Sequence, residues 1–176
     1  AHDKNVGRPM VLGALLTACT QDHRPTDILV VGEPFPNIPL VSLNGEAATL
    51  ADYRGKLVVL NLWATWCEPC RREMPNLQQL SDMLDTKRFA VLGVAGEDDA
   101  HVAREYLRDK EITFASHIDV GQEVATHQLG VQLYPYTFII GPDGVFLQRY
   151  PGPREWHRPE VIELLESAFN GDYSDL

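Results

Sequence analysis

The sequence has little basic charge, and neither a glycine-rich phosphate loop nor an internal repeat is found in it. Its 176 residues carry 15 Lys and Arg against 25 Asp and Glu, a formal net charge of −10. Because phosphate binding depends on clustered Lys and Arg, this balance argues against a nucleic-acid-binding surface. With 44% hydrophobic residues, the chain can bury one good core, and we expect a single globular domain.

Cysteine is also scarce, which limits the metal chemistry that the chain can support. There are three cysteines and six scattered histidines. A structural zinc site normally takes four ligands, from two cysteine pairs or from one pair with histidines at short spacing. The histidines nearest to the pair Cys67 and Cys70 are His23 and His101, both remote in sequence. A zinc site and inert packing of two small thiols are therefore the weaker alternatives for this pair.

The pair belongs to a motif that follows the apolar run 57–63: Trp66-Cys67-Glu68-Pro69-Cys70. A buried strand leading into a helix leaves Cys67 at the helix N-terminus, where unpaired N–H groups and the helix dipole favour a thiolate. Cys70 lies about one turn deeper and faces back toward Cys67. We assign Cys67 as the attacking nucleophile and Cys70 as the resolving thiol of dithiol/disulfide exchange. Arg71 and Arg72 favour the thiolate and Glu68 opposes it, a balance that the sequence leaves open.

Further residues at matching distances make the chain resemble the thioredoxin superfamily, and in particular its TlpA/ResA-like (DsbE-like) branch of membrane-tethered bacterial thiol-disulfide oxidoreductases. Pro75, eight residues after Cys67, matches the proline that bends the active-site helix in this superfamily. Pro135 resembles the cis-proline that lies beside the disulfide. The stretches similar to the segment before the motif in this branch are 31–35, 43–45, Leu50 and 55–56, and the resemblance covers residues 32–170.

The resemblance implies an α/β, thioredoxin-like fold, with a central mixed β-sheet flanked by helices, an N-terminal strand extension and a central strand-helix insertion. The domain would span residues 32–170, followed by a C-terminal tail at 171–176. Hydrophobic periodicity agrees with this fold. It predicts strands at 38–43, 57–63 and 89–96, a hairpin of 136–140 with 145–150, and helices after Cys67, at 99–109, at 121–129 and after Pro159.

The resemblance also implies how a substrate would bind. The main chain of Tyr134 would pair with an extended segment of the partner next to Cys67, in the manner of an added β-strand. Trp66 and Pro135 complete the implied substrate-binding residues. Trp156 could cap the hairpin or contact a partner, and we predict a packing role for it.

A proton acceptor for Cys70 is harder to assign. Thioredoxin carries a buried acid six residues before the first motif cysteine, and this chain has Asn61 there, which cannot titrate. Glu97, at the end of the strand 89–96, resembles the acid that TlpA/ResA-like proteins place near the disulfide. A partly buried carboxylate with a raised pKa could take the proton of Cys70. The alternative is a solvated acid at the start of the next helix, where acids are favoured anyway.

The N-terminal segment bears on location. The apolar residues 10–19 are shorter than the roughly 20 residues that a membrane-spanning helix requires and are typical of an export signal. Leu16-Thr17-Ala18-Cys19 is similar to the bacterial lipobox, whose cysteine is lipid-modified after signal cleavage. We therefore predict a signal and lipobox at 1–19, lipidation of Cys19 and a tether at 20–31.

Together these features predict a periplasmic, lipid-anchored thiol-disulfide oxidoreductase. The resemblance implies that it reduces, or exchanges, disulfides of partner proteins rather than acting as an oxidant. Its redox centre would be the disulfide Cys67–Cys70, with no further cofactor and no metal. The resemblance implies a disulfide-containing protein substrate, either apocytochrome c or a copper-site protein, and a membrane electron donor of the DsbD/CcdA type. The alternatives are a thioredoxin-like peroxidase and a dithiol module that binds Cu(I).

Overall fold

The computed structural model describes residues 29–176. The predicted signal segment, Cys19 and most of the predicted tether lie outside these residues. No helix within 29–176 combines the length and the apolar character needed to cross a membrane. The strands are β1 (Pro39–Ser42), β2 (Ala47–Thr49), β3 (Leu57–Trp63), β4 (Phe89–Ala95), β5 (Ala115–Ile118), β6 (Tyr136–Ile140) and β7 (Phe146–Pro151). The α-helices are α1 (Glu68–Met83), α2 (Ala100–Asp109) and α3 (Pro159–Phe169).

The seven strands form one mixed sheet in the order β2-β1-β5-β4-β3-β6-β7. The three central strands β3, β4 and β5 are parallel, and all other neighbours are antiparallel. Strands β1 and β2 form the predicted N-terminal extension, and β5 is the strand of the predicted insertion. The mixed sheet with flanking helices is therefore confirmed.

Strand β3 is buried along its whole length because it lies between two hydrophobic clusters. Its side chains alternate between the two faces of the sheet. Leu57, Val59 and Trp63 pack with the apolar faces of α1 and α3, whereas Val58, Leu60 and Leu62 pack on the opposite side. The opposite cluster is completed by Phe35, Ile38, Val124 and Ala125. Burial on both faces explains why β3 is an almost uninterrupted apolar run.

The structure does not have a continuous helix at 121–129, where the sequence predicts one. A 3₁₀ turn at Val120–Gln122 leads into a π-helix at Glu123–Gln128. Gln122 has a left-handed φ of 56°, which breaks the helix between the two pieces. The buried carboxylate of Asp119 accepts hydrogen bonds from the main-chain N–H groups of Val124 and Ala125, at 2.8 and 2.9 Å. A carboxylate that caps the second piece so closely favours a separate turn over a continuous α-helix.

A tight contact in the centre of the sheet gives a first testable prediction. A Cβ added to Gly93 of β4 would lie 2.6 Å from Oγ of Ser116 and 2.9 Å from Nε1 of Trp63. Because both neighbours belong to the packed sheet, we expect Gly93→Ala to lower the free energy of unfolding by about 1–3 kcal/mol. Gly141→Ala is the control, since its nearest contact is a side-chain oxygen of Asp143 in a turn. Urea unfolding of the two variants should show the larger loss for Gly93→Ala, and equal midpoints would contradict the prediction.

Candidate active site

The CxxC motif lies where β3 turns into α1, and its two cysteines form a disulfide. Cys67 is the N-cap of α1, and its Sγ accepts a hydrogen bond from the main-chain N–H of Cys70 at 3.3 Å. The same N–H would stabilise a thiolate on Cys67 after reduction. Cys67 is 6% exposed and Cys70 is fully buried. This asymmetry is the one expected if a partner approaches Cys67 first.

Charged side chains next to the motif pair with one another. Glu68 forms ion pairs with Arg71 and, at 3.6 Å, with Arg72. Its hydrogen bond with Arg71 holds the pKa of the Glu68 carboxyl below its usual value. Glu68 is therefore ionised at neutral pH and offsets one of the two arginine charges that border Cys67.

Two aromatic rings lie next to each other at the motif, those of Trp66 and Tyr134. The Tyr134–Pro135 peptide bond is cis, as expected from the resemblance. The rings of Trp66 and Tyr134 lie 5.7 Å apart, and Trp66 is 61% exposed. Within residues 29–176, no hydrogen bond uses the main-chain N–H or C=O of Tyr134. Both groups therefore lack a hydrogen-bond partner within these residues, and the neighbouring indole of Trp66 is exposed.

Gly96 allows the two aromatic rings to approach. Its carbonyl oxygen accepts a hydrogen bond from Nε1 of Trp66 at 3.3 Å. A Cβ at this position would lie 2.7 Å from the hydroxyl oxygen of Tyr134. Burial raises the pKa of the Tyr134 hydroxyl, so this side chain is neutral at physiological pH. Only glycine leaves room here for the Tyr134 ring.

Glu97, the predicted proton acceptor, contacts the loop that precedes the motif. Its Oε1 accepts hydrogen bonds from the main-chain N–H and the hydroxyl of Thr65, at 2.5 and 2.6 Å. Thr65 is two residues before Cys67, so the Glu97 carboxylate fixes the backbone that leads into the active site. Its assignment as the base for Cys70 stays a prediction.

A second carboxylate, which the sequence reasoning missed, lies on the buried face of the active-site helix α1. Glu73 is 1% exposed and follows Cys70 by three residues, on the same face of α1. Burial raises the pKa of its carboxyl, although three hydrogen bonds favour the charged form. One sequence signal could have identified it. Glu73 falls within the apolar stripe of α1, with Cys70, Met74 and Leu77, where an acid is out of place unless it is buried for a purpose.

The three donors to Glu73 come from two distant parts of the chain, strand β3 and the segment 152–158 between β7 and α3. Oε2 accepts a hydrogen bond from Nδ2 of Asn61 at 3.2 Å, and Asn61 also donates to the hydroxyl of Thr137 at 2.9 Å. Oε1 accepts from the main-chain N–H of Arg154 at 3.0 Å and from the indole N–H of Trp156. Asn61, which replaces the acid of thioredoxin, thus holds a carboxylate that the helix supplies instead.

Comparisons with known proteins agree with this geometry. The chain is 30% identical over 136 residues to the thiol-disulfide oxidoreductase ResA of Bacillus thuringiensis subsp. konkukian, covering 77% of each chain. It is 35% identical over 124 residues to the thioredoxin-like protein YneN of Bacillus subtilis, covering 69% of this chain and 71% of the relative. The solved structure of a DsbF homologue from Corynebacterium diphtheriae matches with a TM-score of 0.65 and 27% identity, covering 82% of this chain and 95% of that one.

The family assignment rests on the same region. Residues 31–148 match the model of the AhpC/TSA family. This match includes both cysteines and the cis-proline, and ResA is named as a thiol-disulfide oxidoreductase, the activity predicted from the CxxC motif. The fold, the family and the type of enzyme predicted from the sequence are therefore confirmed. The chain belongs to the AhpC/TSA family and is a thioredoxin-like thiol-disulfide oxidoreductase of the ResA-like type.

Proposed function

We propose that this oxidoreductase reduces disulfides of partner proteins in the periplasm, where a lipid on Cys19 anchors it to the membrane. The observation that carries the reaction is the position of Cys67, which is the N-cap of α1 and lies in the hydrophobic cluster against which Tyr134 of the cis Tyr134–Pro135 bond packs. A partner segment paired with the main chain of Tyr134 brings its disulfide to Cys67. Support for the location comes from the sequence alone, from the apolar segment and the lipobox-like residues 16–19.

The proposed reaction transfers two electrons from the dithiol to the partner. The Cys67 thiolate attacks one sulfur of the partner disulfide, and the other partner sulfur leaves as a thiolate. Cys70 then gives its proton to a buried carboxylate, which we assign as Glu73, and attacks Sγ of Cys67. The Cys67–Cys70 bond forms, the bond to the partner breaks, and the partner leaves as a second thiolate that takes up a proton. A membrane electron donor of the DsbD/CcdA type would restore the dithiol.

The proposed direction predicts a reducing potential. Equilibration of the protein with thiol/disulfide buffers, followed by alkylation of the free thiols, should give a value of about −220 mV or lower. A value near about −120 mV would be that of a strong oxidant and would contradict the reductase proposal. Failure to form a reversible Cys67–Cys70 disulfide would contradict the reaction itself.

We further propose that the substrate is apocytochrome c, because Glu68-Pro69 between the cysteines is the dipeptide of some reductases of cytochrome c maturation. An oxidised peptide with the haem-attachment sequence Cys-x-x-Cys-His should be reduced faster than a control peptide in which the His is moved away. With Cys70→Ser, the first peptide should stay bound to Cys67 as a mixed disulfide detectable by mass spectrometry. Equal rates for the two peptides would contradict the cytochrome assignment and leave a copper-site protein as the candidate.

Kinetics of the resolving step can distinguish Glu73 from Glu97 as the acceptor of the Cys70 proton. We expect Glu73→Gln to slow release of the mixed disulfide by about a hundredfold at neutral pH and to remove the ionisation that limits the rate at low pH. Stopped-flow measurement of this step between acid and neutral pH, with Glu97→Gln alongside, tests the assignment. Loss of that ionisation in Glu97→Gln but not in Glu73→Gln would return the role to Glu97.

A stability measurement checks the raised pKa of Glu73 without reference to activity. Between its value of about 4.5 in the unfolded chain and the higher value in the fold, the folded protein retains a proton that the unfolded chain has lost. The free energy of unfolding therefore falls as the pH rises through this window. In the oxidised protein, Glu73→Gln should remove this part of the decline, and identical pH dependences of wild type and variant would contradict burial of an ionisable Glu73.

A further inference from the structure

The sequence predicts a packing role for Trp156, and the structure shows that it also donates a hydrogen bond to Glu73. It lies in the segment 152–158 that connects β7 to α3, and it is 2% exposed. Its ring meets that of Tyr150 edge-on, with centroids 5.5 Å apart. Its indole N–H points at Glu73 and donates a hydrogen bond to Oε1.

The same segment supplies a second donor to the same oxygen. The main-chain N–H of Arg154 donates to Oε1 of Glu73 at 3.0 Å, and the Arg154 guanidinium lies over the ring of Tyr150 at 4.0 Å. A carboxylate oxygen has two lone pairs, and the two N–H donors occupy both of them on Oε1. No lone pair of Oε1 is left to bind a proton. A proton taken up by Glu73 therefore goes to Oε2, on the side of Asn61.

The charged side chains near Glu73 lie on the groove side of the helix, whereas its hydrogen-bond partners on the sheet are neutral. A groove of about 540 Å³ opens beside it between α1 and the segment 152–158. The charged side chains that line this groove with Glu73 are Arg72, Arg154, Glu155 and Arg158. From the sheet, only the neutral Asn61 and Thr137 join the hydrogen-bond network within residues 29–176. The indole N–H is thus the one side-chain donor on Oε1, and it can be removed without changing any charge.

We propose that Trp156 is a positioning residue for the reaction, in which its indole N–H fixes Oε1 of Glu73, directs the transferred proton to Oε2 and sets the pH range of the resolving step. The proposal rests on the proposed function of Glu73 as the acceptor of the Cys70 proton. A hydrogen bond to a carboxylate favours its charged form, so it opposes the effect of burial. Loss of the indole N–H should therefore reduce the fraction of Glu73 that is ionised at any pH below the midpoint of its titration.

The experiment compares Trp156→Phe with Trp63→Phe in the full chain. Phenylalanine keeps an aromatic ring against Tyr150, removes the donor and leaves a smaller side chain, and the control shares this loss of volume. Trp63 is the matched control, since it is also a buried indole but its Nε1 has no hydrogen-bond partner within residues 29–176. The reduced proteins, which carry Cys19→Ser to remove the third thiol, are mixed with dithiobis(nitrobenzoate) in a stopped-flow instrument. The first nitrothiobenzoate released reports attack by Cys67, and the second reports resolution by Cys70.

We expect Trp156→Phe to move the midpoint of the second phase upward by about one pH unit, so that the rate falls about tenfold below the midpoint and recovers at high pH. Trp63→Phe should leave the midpoint unchanged. In the Glu73→Gln background, Trp156→Phe should produce no further shift. A midpoint that does not move in Trp156→Phe, or a rate lowered equally at all pH values, would overturn the proposal.

A measurement on the unmodified protein covers the case in which Trp156→Phe does not fold. The indole ¹H–¹⁵N resonance of Trp156 should titrate with the midpoint of the second phase and should be independent of pH in Glu73→Gln. A resonance that is flat across this range in the wild type would overturn the role of Trp156. If instead the midpoint of the second phase persists in Glu73→Gln, the assignment of Glu73 fails, and this outcome is distinct from failure of Trp156.

Discussion

The burial of one carboxylate on the inner face of the active-site helix is the constraint on which the rest of the site depends. A carboxylate taken out of water must find hydrogen-bond donors or lose its charge. Glu73 draws one donor from β3 and two from the segment between β7 and α3. These bonds tie the helix that carries Cys67 and Cys70 to the centre of the sheet and to the C-terminal part of the fold. The chemistry of the motif and the packing of the domain are therefore linked through a single side chain.

The parts of the site that the sequence predicts are those determined by local physics. Strand β3, the N-cap Cys67 and Pro69 follow one another within a short stretch of the chain. Their geometry therefore follows from a strand that leads into a helix. Pro75 also acts locally, because it removes one N–H from α1 and leaves the carbonyl of Arg71 near the hydroxyl of Tyr106, at 3.5 Å. Pro135 is different: it was identified by resemblance, and composition alone does not predict a cis bond.

The parts that could not be predicted depend on contacts between residues far apart in sequence. Trp156 is 83 residues from Glu73, and nothing near Trp156 indicates that its indole N–H meets a carboxylate. The sequence predicts Glu97 as a base near the disulfide, but it does not indicate the contact of Glu97 with Thr65, 32 residues away. The π-helix at Glu123–Gln128 depends likewise on Asp119, whose side chain caps a turn that periodicity alone predicts as an ordinary helix.

The presence of asparagine at position 61 of β3 can be explained by the position of Glu73 on α1. An acid on β3 would face Glu73, and two buried carboxylates in contact cannot both ionise without strong repulsion. The amide of Asn61 instead donates to Oε2 of Glu73 and to Thr137, so the strand supplies a donor and the helix supplies the titrating group. The acid then lies on the same element as Cys70, three residues further along. One turn of α1 therefore fixes the spacing between Cys70 and the carboxylate that we propose as the acceptor of its proton.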